Sequence, residues 1–230
     1  MKRIVVFTGA GISAESGIKT FRDSDGLWEN YAVEDVATPQ AWYKNPEMVL
    51  EFYNQRRKQI IQATPNAAHK ALVELEKEFD VTIITQNIDD LHERAGSSHI
   101  VHLHGEIMKS RSTINASLIY ALQSDCILIG DKCEKGSQLR PHIVWFGEAV
   151  PMMEEAISIT QGADIFIIIG TSLAVYPAAS LIQFTKANAT TILVDPNADA
   201  QQLPDYFTVV AQNATEGVPL IVNKILKAYV

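Results

Sequence analysis

A chain of 230 residues with 47% hydrophobic and 20% charged side chains has the balance of a globular protein with room for a sizeable core, as one large domain or one domain with a smaller lobe. Its net charge of −8 and pI near 5.2 argue against a nucleic-acid backbone as partner. Two cysteines, Cys126 and Cys133, cannot build a disulfide framework, and no stretch approaches the roughly 20 apolar residues of a membrane span. Only four strongly apolar residues precede Thr8-Gly9, too few for a signal-peptide core, so a cytoplasmic location without membrane contact is expected.

In chain order, the run IVVF at 4–7 predicts a buried strand, and Gly9-x-Gly11-x-x-Ala14 follows it at once. Glycines at that turn let backbone amides approach a pyrophosphate at the start of a helix. On its own the motif is weak, because a tight strand–helix turn without a ligand looks the same. Residues 31–63 predict a helical insertion without a strand of its own, and its main helix spans 45–62, opening on Asn45-Pro46, a cap residue and a first-turn proline. A helix at 65–79 leads to a strand at 81–85, whose end carries Asn87, Asp89 and Asp90. A strand at 100–104 precedes a small inserted lobe at 107–141 with no clear long period. Beyond it, a helix at 151–162, a strand at 164–170, a helix at 176–188, a strand at 190–195 and a helix at 217–228 complete the chain. Strand–helix alternation predicts an α/β fold, a Rossmann-type doubly wound parallel sheet built from 1–30, 64–106 and 142–230. The acid expected at the end of the second strand of an ordinary dehydrogenase is not evident, which turns the reading away from that class.

In the helix at 45–62, Val49, Tyr53, Arg56 and Ile60 fall on one narrow stripe at about 100° per residue, and Lys58 points the opposite way. Arg56 stands where the pattern asks for an apolar residue. An arginine paired with a protein carboxylate and a cation placed inside for a ligand both satisfy that pattern.

Taken together, Gly9-Ala10-Gly11-Ile12-Ser13, FRDSDGLW (21–28), TQNIDDLH (85–92), LHGE (103–106), VWFGE (144–148) and GTSL (170–173) resemble the sirtuins, NAD-dependent protein-lysine deacylases. The motifs stand in that family's order and reach residue 217 if NATEG (213–217) is its last element. The resemblance implies that NAD is consumed, nicotinamide leaves, and the acyl group passes to the ribose as O-acyl-ADP-ribose. It implies His104 as the general base, since a neutral imidazole suits that task near pH 7. Position alone does not select His104, because His102 shares its strand face and four other histidines exist.

By the same resemblance, Asn87 and Asp89 hold nicotinamide, and Gln86 and Ile88 of the same turn also bind the cofactor. Arg22 steadies the phosphates, Phe21 shields the ribose, and Gly9, Ala10, Gly11 and Ser13 form the phosphate cradle. Gly170, Thr171 and Ser172 suit the adenine ribose, with Asn197 and Ala214 completing that side. Asp195-Pro196-Asn197 stands where the family often has asparagine directly after the strand. Val144, Phe146, Gly147 and Glu148 are expected to hold an acyl-lysine peptide as an added strand, and Trp145 to serve core packing.

Two departures matter. Many sirtuins carry a four-cysteine zinc ribbon in the lobe, but here the first pair's positions contain Ser112 and Asn115, and only Cys133 lies near the second pair. Structural zinc needs four sulfur or imidazole ligands, so the lobe is expected to be a degenerate, zinc-free ribbon held by packing of Leu118, Ile119, Leu122, Ile127, Leu128 and Ile129. Tyr53-Asn54-Gln55-Arg56, in turn, resembles the Tyr-x-x-Arg pair of the sirtuins that remove acidic acyl groups. It implies a pocket for succinyl- or malonyl-lysine, a guanidinium and a phenol sharing one helix face. Arg57, about 80° off the stripe, is expected to be structural. The rival readings are a protein mono-ADP-ribosyltransferase and a non-catalytic NAD-sensing module. Protein substrates and oligomeric state are not legible.

Overall fold

The computed structural model describes residues 1–19, 27–28, 31–171, 173–198 and 203–229. The elements run β1 (Arg3–Thr8), α1 (Gly11–Ala14), β2 (Leu27–Trp28), β3 (Tyr31–Ala32), α2 (Val33–Val36), α3 (Pro39–Lys44), α4 (Pro46–Gln62), α5 (Ala67–Leu75), β4 (Asp80–Thr85), α6 (Leu91–Ala95), β5 (Ile100–His102), β6 (Gly105–Ser112), β7 (Ile119–Ala121), β8 (Leu139–Ile143), α7 (Met153–Gly162), β9 (Ile165–Ile169), β10 (Thr190–Val194), β11 (Phe207–Val210) and α8 (Ala214–Tyr229).

Six strands form one parallel sheet in the order β11-β10-β9-β1-β4-β5. From β1 the chain steps outward through β4 and β5, then returns beside β1 at β9 and continues to β10 and β11. The direction therefore switches between β1 and β9, the place where open α/β sheets bind ligands at their carboxyl ends. Helices cover both faces, which is why the strands read as continuous apolar runs: all five residues of β9 are buried. One face of the sheet packs Ile4, Val6 and Ile167 against Leu72 of α5 and Val218 of α8. The other packs Val5, Phe7 and Phe166 against Ala156 of α7 and Leu181.

α4 begins as its sequence predicts: the Asn45 side chain accepts from Met48 N at 3.1 Å and Pro46 takes the first turn. α5 carries a capping box in which Asn66 and His69 satisfy each other's backbone. Several expectations need correction. The helix expected at 176–188 is a 3-10 helix over Ala178–Phe184, without a side-chain cap at Pro177 and stopped by extended Thr185. β11 is an added parallel strand that the sequence reading did not mark. The helical insertion pairs its own first residues, β3, with β2 in a two-stranded ribbon. The strand expected at 100–104 ends at His102, because the chain turns there and leaves the main sheet. Gly105 makes that exit at φ 81°, and a Cβ there would collide with the His142 carbonyl.

The small lobe is a three-stranded antiparallel sheet, β7-β6-β8, running from Gly105 to Ile143. Its expected apolar cluster does not form: Ile119, Leu128 and Ile129 are exposed, and only Ile127 of the six is buried. Polar bonds from α4 tie the lobe down instead. Asn54 bonds both backbone groups of Ile127 at 2.9 Å, and fully buried Arg57 donates Nε to Ile107 O at 2.7 Å and Nη1 to Asn54 Oδ1 at 2.8 Å. Arg57 is structural, as its angle predicts, but its partners are carbonyl oxygens and not a carboxylate. Burial pushes its pKa down to about 10. Among the described residues no helix is long and apolar enough to cross a membrane.

Candidate active site

At the carboxyl ends of the central strands, three segments meet. The loop after β1 presses on the end of β9: Gly9 N and Gly11 N donate to the carbonyls of Ile169 (3.0 Å) and Gly170 (2.9 Å). A Cβ on Gly11 would come within 2.6 Å of Gly170 Cα, so only glycine permits this approach. The third segment, 86–90 after β4, closes the floor. Gln86 N donates to Thr8 O (2.9 Å) and its side-chain amide to Thr171 Oγ1 (3.1 Å).

Asn87, Asp89 and Ser13 are buried together below this junction. Asn87 Nδ2 donates to Gly9 O (3.1 Å) and Ser13 Oγ (3.2 Å), and Ser13 Oγ donates to Asp89 Oδ2 (3.0 Å). The other Asp89 oxygen accepts Leu91 N (3.1 Å). Burial raises the Asp89 pKa, while the hydrogen bonds from Leu91 and Ser13 work against that rise. Ala10 caps the single turn of α1, and Ile88 gives its carbonyl to Ile107 N (2.9 Å), linking the floor to β6.

His104 sits on the turn between β5 and β6. Its Nδ1 lies 3.0 Å from Gln86 O, an acceptor, so Nδ1 carries the proton and Nε2 keeps its lone pair. Nε2 makes no hydrogen bond among the described residues. Burial lowers the His104 pKa against the pull of the Gln86 carbonyl, which favours the neutral ring at pH 7. The arrangement can accept a proton from a hydroxyl brought against Nε2.

The VWFGE segment leaves this turn: Val144 N donates to His104 O at 2.9 Å. It differs from the expected open strand edge. Phe146 N is spent on Ala37 O (3.0 Å), and Gly147 turns the chain at φ 88°. The amides of Val144 and Phe146 are thus both already paired within the protein. Glu148 points inward, bound to Arg111 Nη2 (3.1 Å), Arg140 Nη1 (2.7 Å) and Trp145 N (2.8 Å), so its side chain anchors the segment. Phe146 is half exposed, and Trp145 is buried with Arg140 stacked 3.2 Å from its ring.

Trp145 also reaches α4. Its Nε1 donates to Tyr53 Oη at 3.0 Å, and no acceptor among the described residues takes the phenol's own proton. Burial holds the Tyr53 pKa far above its ordinary range, so the phenol is a donor. Arg56, 4% exposed, acts electrostatically on that phenol and donates Nη2 to Lys19 O (3.2 Å), at the end of the loop beyond α1. The two side chains share the buried face that their spacing predicts.

Asn197 and Ala214 lie beyond β10 and at the start of α8, at the same sheet edge, but no hydrogen bond joins them to the central group; Asn197 N bonds Asp195 Oδ1 at 2.9 Å. Phe21, Arg22 and Ser172 lie outside the described residues. Sequence reasoning missed Trp145 as the partner of Tyr53, and Asn54 and Arg57 as anchors of the lobe. Trp145 carried no signal of its own, whereas Asn54 and Arg57 are polar residues in the middle of a helix that packs on both sides.

In the lobe, Cys133 Sγ is 3.3 Å from buried Ser112 Oγ, and Gly136 N closes a turn on Cys133 O at 2.8 Å. One thiol, a hydroxyl already hydrogen-bonded and a glycine do not make a tetrahedral zinc site.

The sequence pattern that defines the Sir2 family matches residues 9–177. The chain belongs to the Sir2 family. It is similar to an NAD-dependent protein deacylase of Helicobacter pylori, 53% identical over 227 residues that cover 99% of each chain. A solved Sir2 homolog–NAD complex superposes with a TM-score of 0.89 at 40% identity, covering 100% of this chain and 91% of that one. A Sir2 variant solved with a deacetylated p53 peptide and 3′-O-acetyl-ADP-ribose superposes with a TM-score of 0.78 at 31% identity, over 98% of this Sir2 chain and 92% of that one. The parallel sheet with its small lobe is thus the Sir2 fold.

Proposed function

We propose that this Sir2 chain is an NAD-dependent protein-lysine deacylase that takes succinyl and malonyl as well as acetyl groups. The observation that carries the reading is the His104 ring, held by Gln86 O with its Nε2 lone pair uncommitted, on the same junction that joins Gly9, Gly11 and Gly170. The close-packed glycine loops and the buried Asn87–Ser13–Asp89 network fit the ends of a dinucleotide. NAD supplies, when bound, an electrophilic ribose carbon that loses nicotinamide and a ribose hydroxyl that takes over the acyl group.

The chain's own residues do the rest. Asn87 and Asp89 hold the nicotinamide end, and the fixed Asp89 carboxylate favours positive charge developing beside it. Nε2 of His104 takes the proton of the ribose hydroxyl. Carbonyls of Val144 and Phe146 hold the peptide backbone next to the His104 turn, which supports recognition with little dependence on peptide sequence. Tyr53 and Arg56 receive the distal carboxylate of the acyl group, the phenol through the proton that Trp145 leaves to it.

Incubation with succinyl- and acetyl-lysine peptides and labelled NAD tests the reading. The label is expected to leave as O-acyl-ADP-ribose; label retained on protein points to an ADP-ribosyltransferase, and no nicotinamide release to an NAD-sensing module. The lobe folds on its Ser112–Cys133 bond and the α4 anchors without structural zinc. Purified protein is expected to hold far less than one zinc per chain by metal analysis, and stoichiometric zinc would refute this.

A further inference from the structure

His102 stands two residues before His104, yet its surroundings are opposite in kind. Its Nδ1 is 3.3 Å from the carbonyl of Asn87 and its Nε2 is 2.6 Å from Glu93 Oε1. Both partners are acceptors, and an imidazole can donate from both nitrogens only when it carries two protons. The adjacent carbonyls of Gln86 and Asn87 are thus held by two histidines of different charge: His104 with one acceptor and a lone pair, His102 with two acceptors and none.

The carboxylates around this turn are numerous. Asp90 is paired with Arg94 (3.3 Å) and Glu106 with Lys109 (2.7 Å). Glu93 has His102, whose side chain is only 9% exposed. Asp89 has hydrogen bonds from Ser13 and Leu91 but, among the described residues, no paired cation. His92 of α6 is buried too, and its neutral form is favoured first by burial and then by the charges of His69 and His102.

We propose that His102 is a positioning residue: an imidazolium clamped between the Glu93 carboxylate and the Asn87 carbonyl, which fixes the 86–89 turn and offsets the charge of Asp89. The inference rests on the reading of that turn as the nicotinamide site. Energetics point the same way as the geometry. Burial opposes the His102 charge, but the Glu93 bond and charge, Glu106 and the Asn87 carbonyl together outweigh it, and the pKa rises above 6.5. Burial also pushes the Glu93 carboxyl up, but the His102 bond and charge, a backbone hydrogen bond and Lys109 together hold it low. Glu93, His102 and Glu106 could otherwise be read as metal ligands, their atoms lying within 4.8 Å of one another. A ring with both nitrogens protonated has no lone pair to give a metal.

Nitrogen-15 NMR of the histidine rings in the whole, NAD-free protein tests the charge directly. At pH 7, His102 is expected with both nitrogens protonated and His104 neutral. Glu93→Gln should move the His102 titration down by about one pH unit or more, the loss of one charge-assisted partner. A neutral His102 at pH 7, a titration unmoved by Glu93→Gln, or His102 resonances shifted by micromolar Zn²⁺ would each overturn the proposal. Kinetics test the positioning. His102→Gln keeps one donor and loses the charge, so KM for NAD should rise about tenfold with a smaller change in kcat. The wild-type alkaline limb, where His102 loses its proton above pH 6.5, should disappear while the acid limb stays. An alkaline limb retained in His102→Gln removes the positioning role. If no variant and no wild-type protein cleaves NAD, the functional reading fails, and the NMR still decides the charge of His102.

Discussion

Replacing His104 by alanine is expected to lower kcat/KM for deacylation by about 10²–10⁴-fold, the usual contribution of a positioned general base. Binding of NAD, followed by quenching of protein fluorescence or by calorimetry, should survive, because among the described residues the ring's hydrogen bond to the cofactor floor is the single one to the Gln86 carbonyl. The pH dependence follows from its direction of shift. Burial lowers the His104 pKa from 6.5, so the ring is neutral at pH 7 and activity should fall only as pH drops below that ordinary value. An alanine variant with deacylation within a few-fold of wild type would remove His104 from the mechanism. Thermal unfolding should change little, since the half-buried ring makes one hydrogen bond among the described residues.

The second large effect concerns the choice of acyl group. Arg56→Met keeps an unbranched side chain of similar length on the buried face of α4 and deletes its charge. Loss of a charge-assisted hydrogen-bond donor to a carboxylate is worth about 1.5–3 kcal/mol, or about 10- to 150-fold in kcat/KM for a succinyl-lysine peptide. The acetyl-lysine peptide has no distal carboxylate, so its turnover should hold or improve and serves as the control for folding. Tyr53→Phe should act in the same sense with a smaller loss, because it removes one neutral donor and leaves Trp145 Nε1 without its acceptor. Succinyl turnover unchanged in Arg56→Met would assign that arginine to the Lys19 carbonyl and to structure alone.

These two residues differ in how far the amino-acid sequence reaches them. The stripe of Val49, Tyr53, Arg56 and Ile60 is a local property of a helix: 3.6 residues per turn puts them on one face, and that face is buried. Likewise β1, β4, β9 and β10 are mainly apolar and β-branched because both faces of the sheet are covered, which is legible without coordinates. The glycine loop was legible for a different reason, since Gly9 and Gly11 admit the close contact with Gly170 that a side chain would block. α5 and α8 differ from expectation only at their ends.

What the sequence did not reveal depends on distant partners. β11 gains its place through pairing with β10, and the 3-10 helix at Ala178–Phe184 is decided by packing on the sheet. The lobe looked as if it needed an apolar cluster, yet Asn54 and Arg57, 73 and 50 positions from their partners, hold it by its backbone. Tyr53 and Trp145 are 92 positions apart, so no periodicity joins them.

Periodicity, motif order and turn chemistry by themselves determined the parallel sheet, the Sir2 motifs and the inward direction of Arg56, because each depends on neighbours within one element. Only the tertiary structure shows how differently the two neighbouring histidines are surrounded. His102 and His104 are nearly identical in sequence context, and their protons are assigned by the carbonyls of 86 and 87 and by the Glu93 carboxylate, brought to them from other elements. A protonation state is a property of the whole set of acceptors around a ring, and that set exists only once the chain has folded.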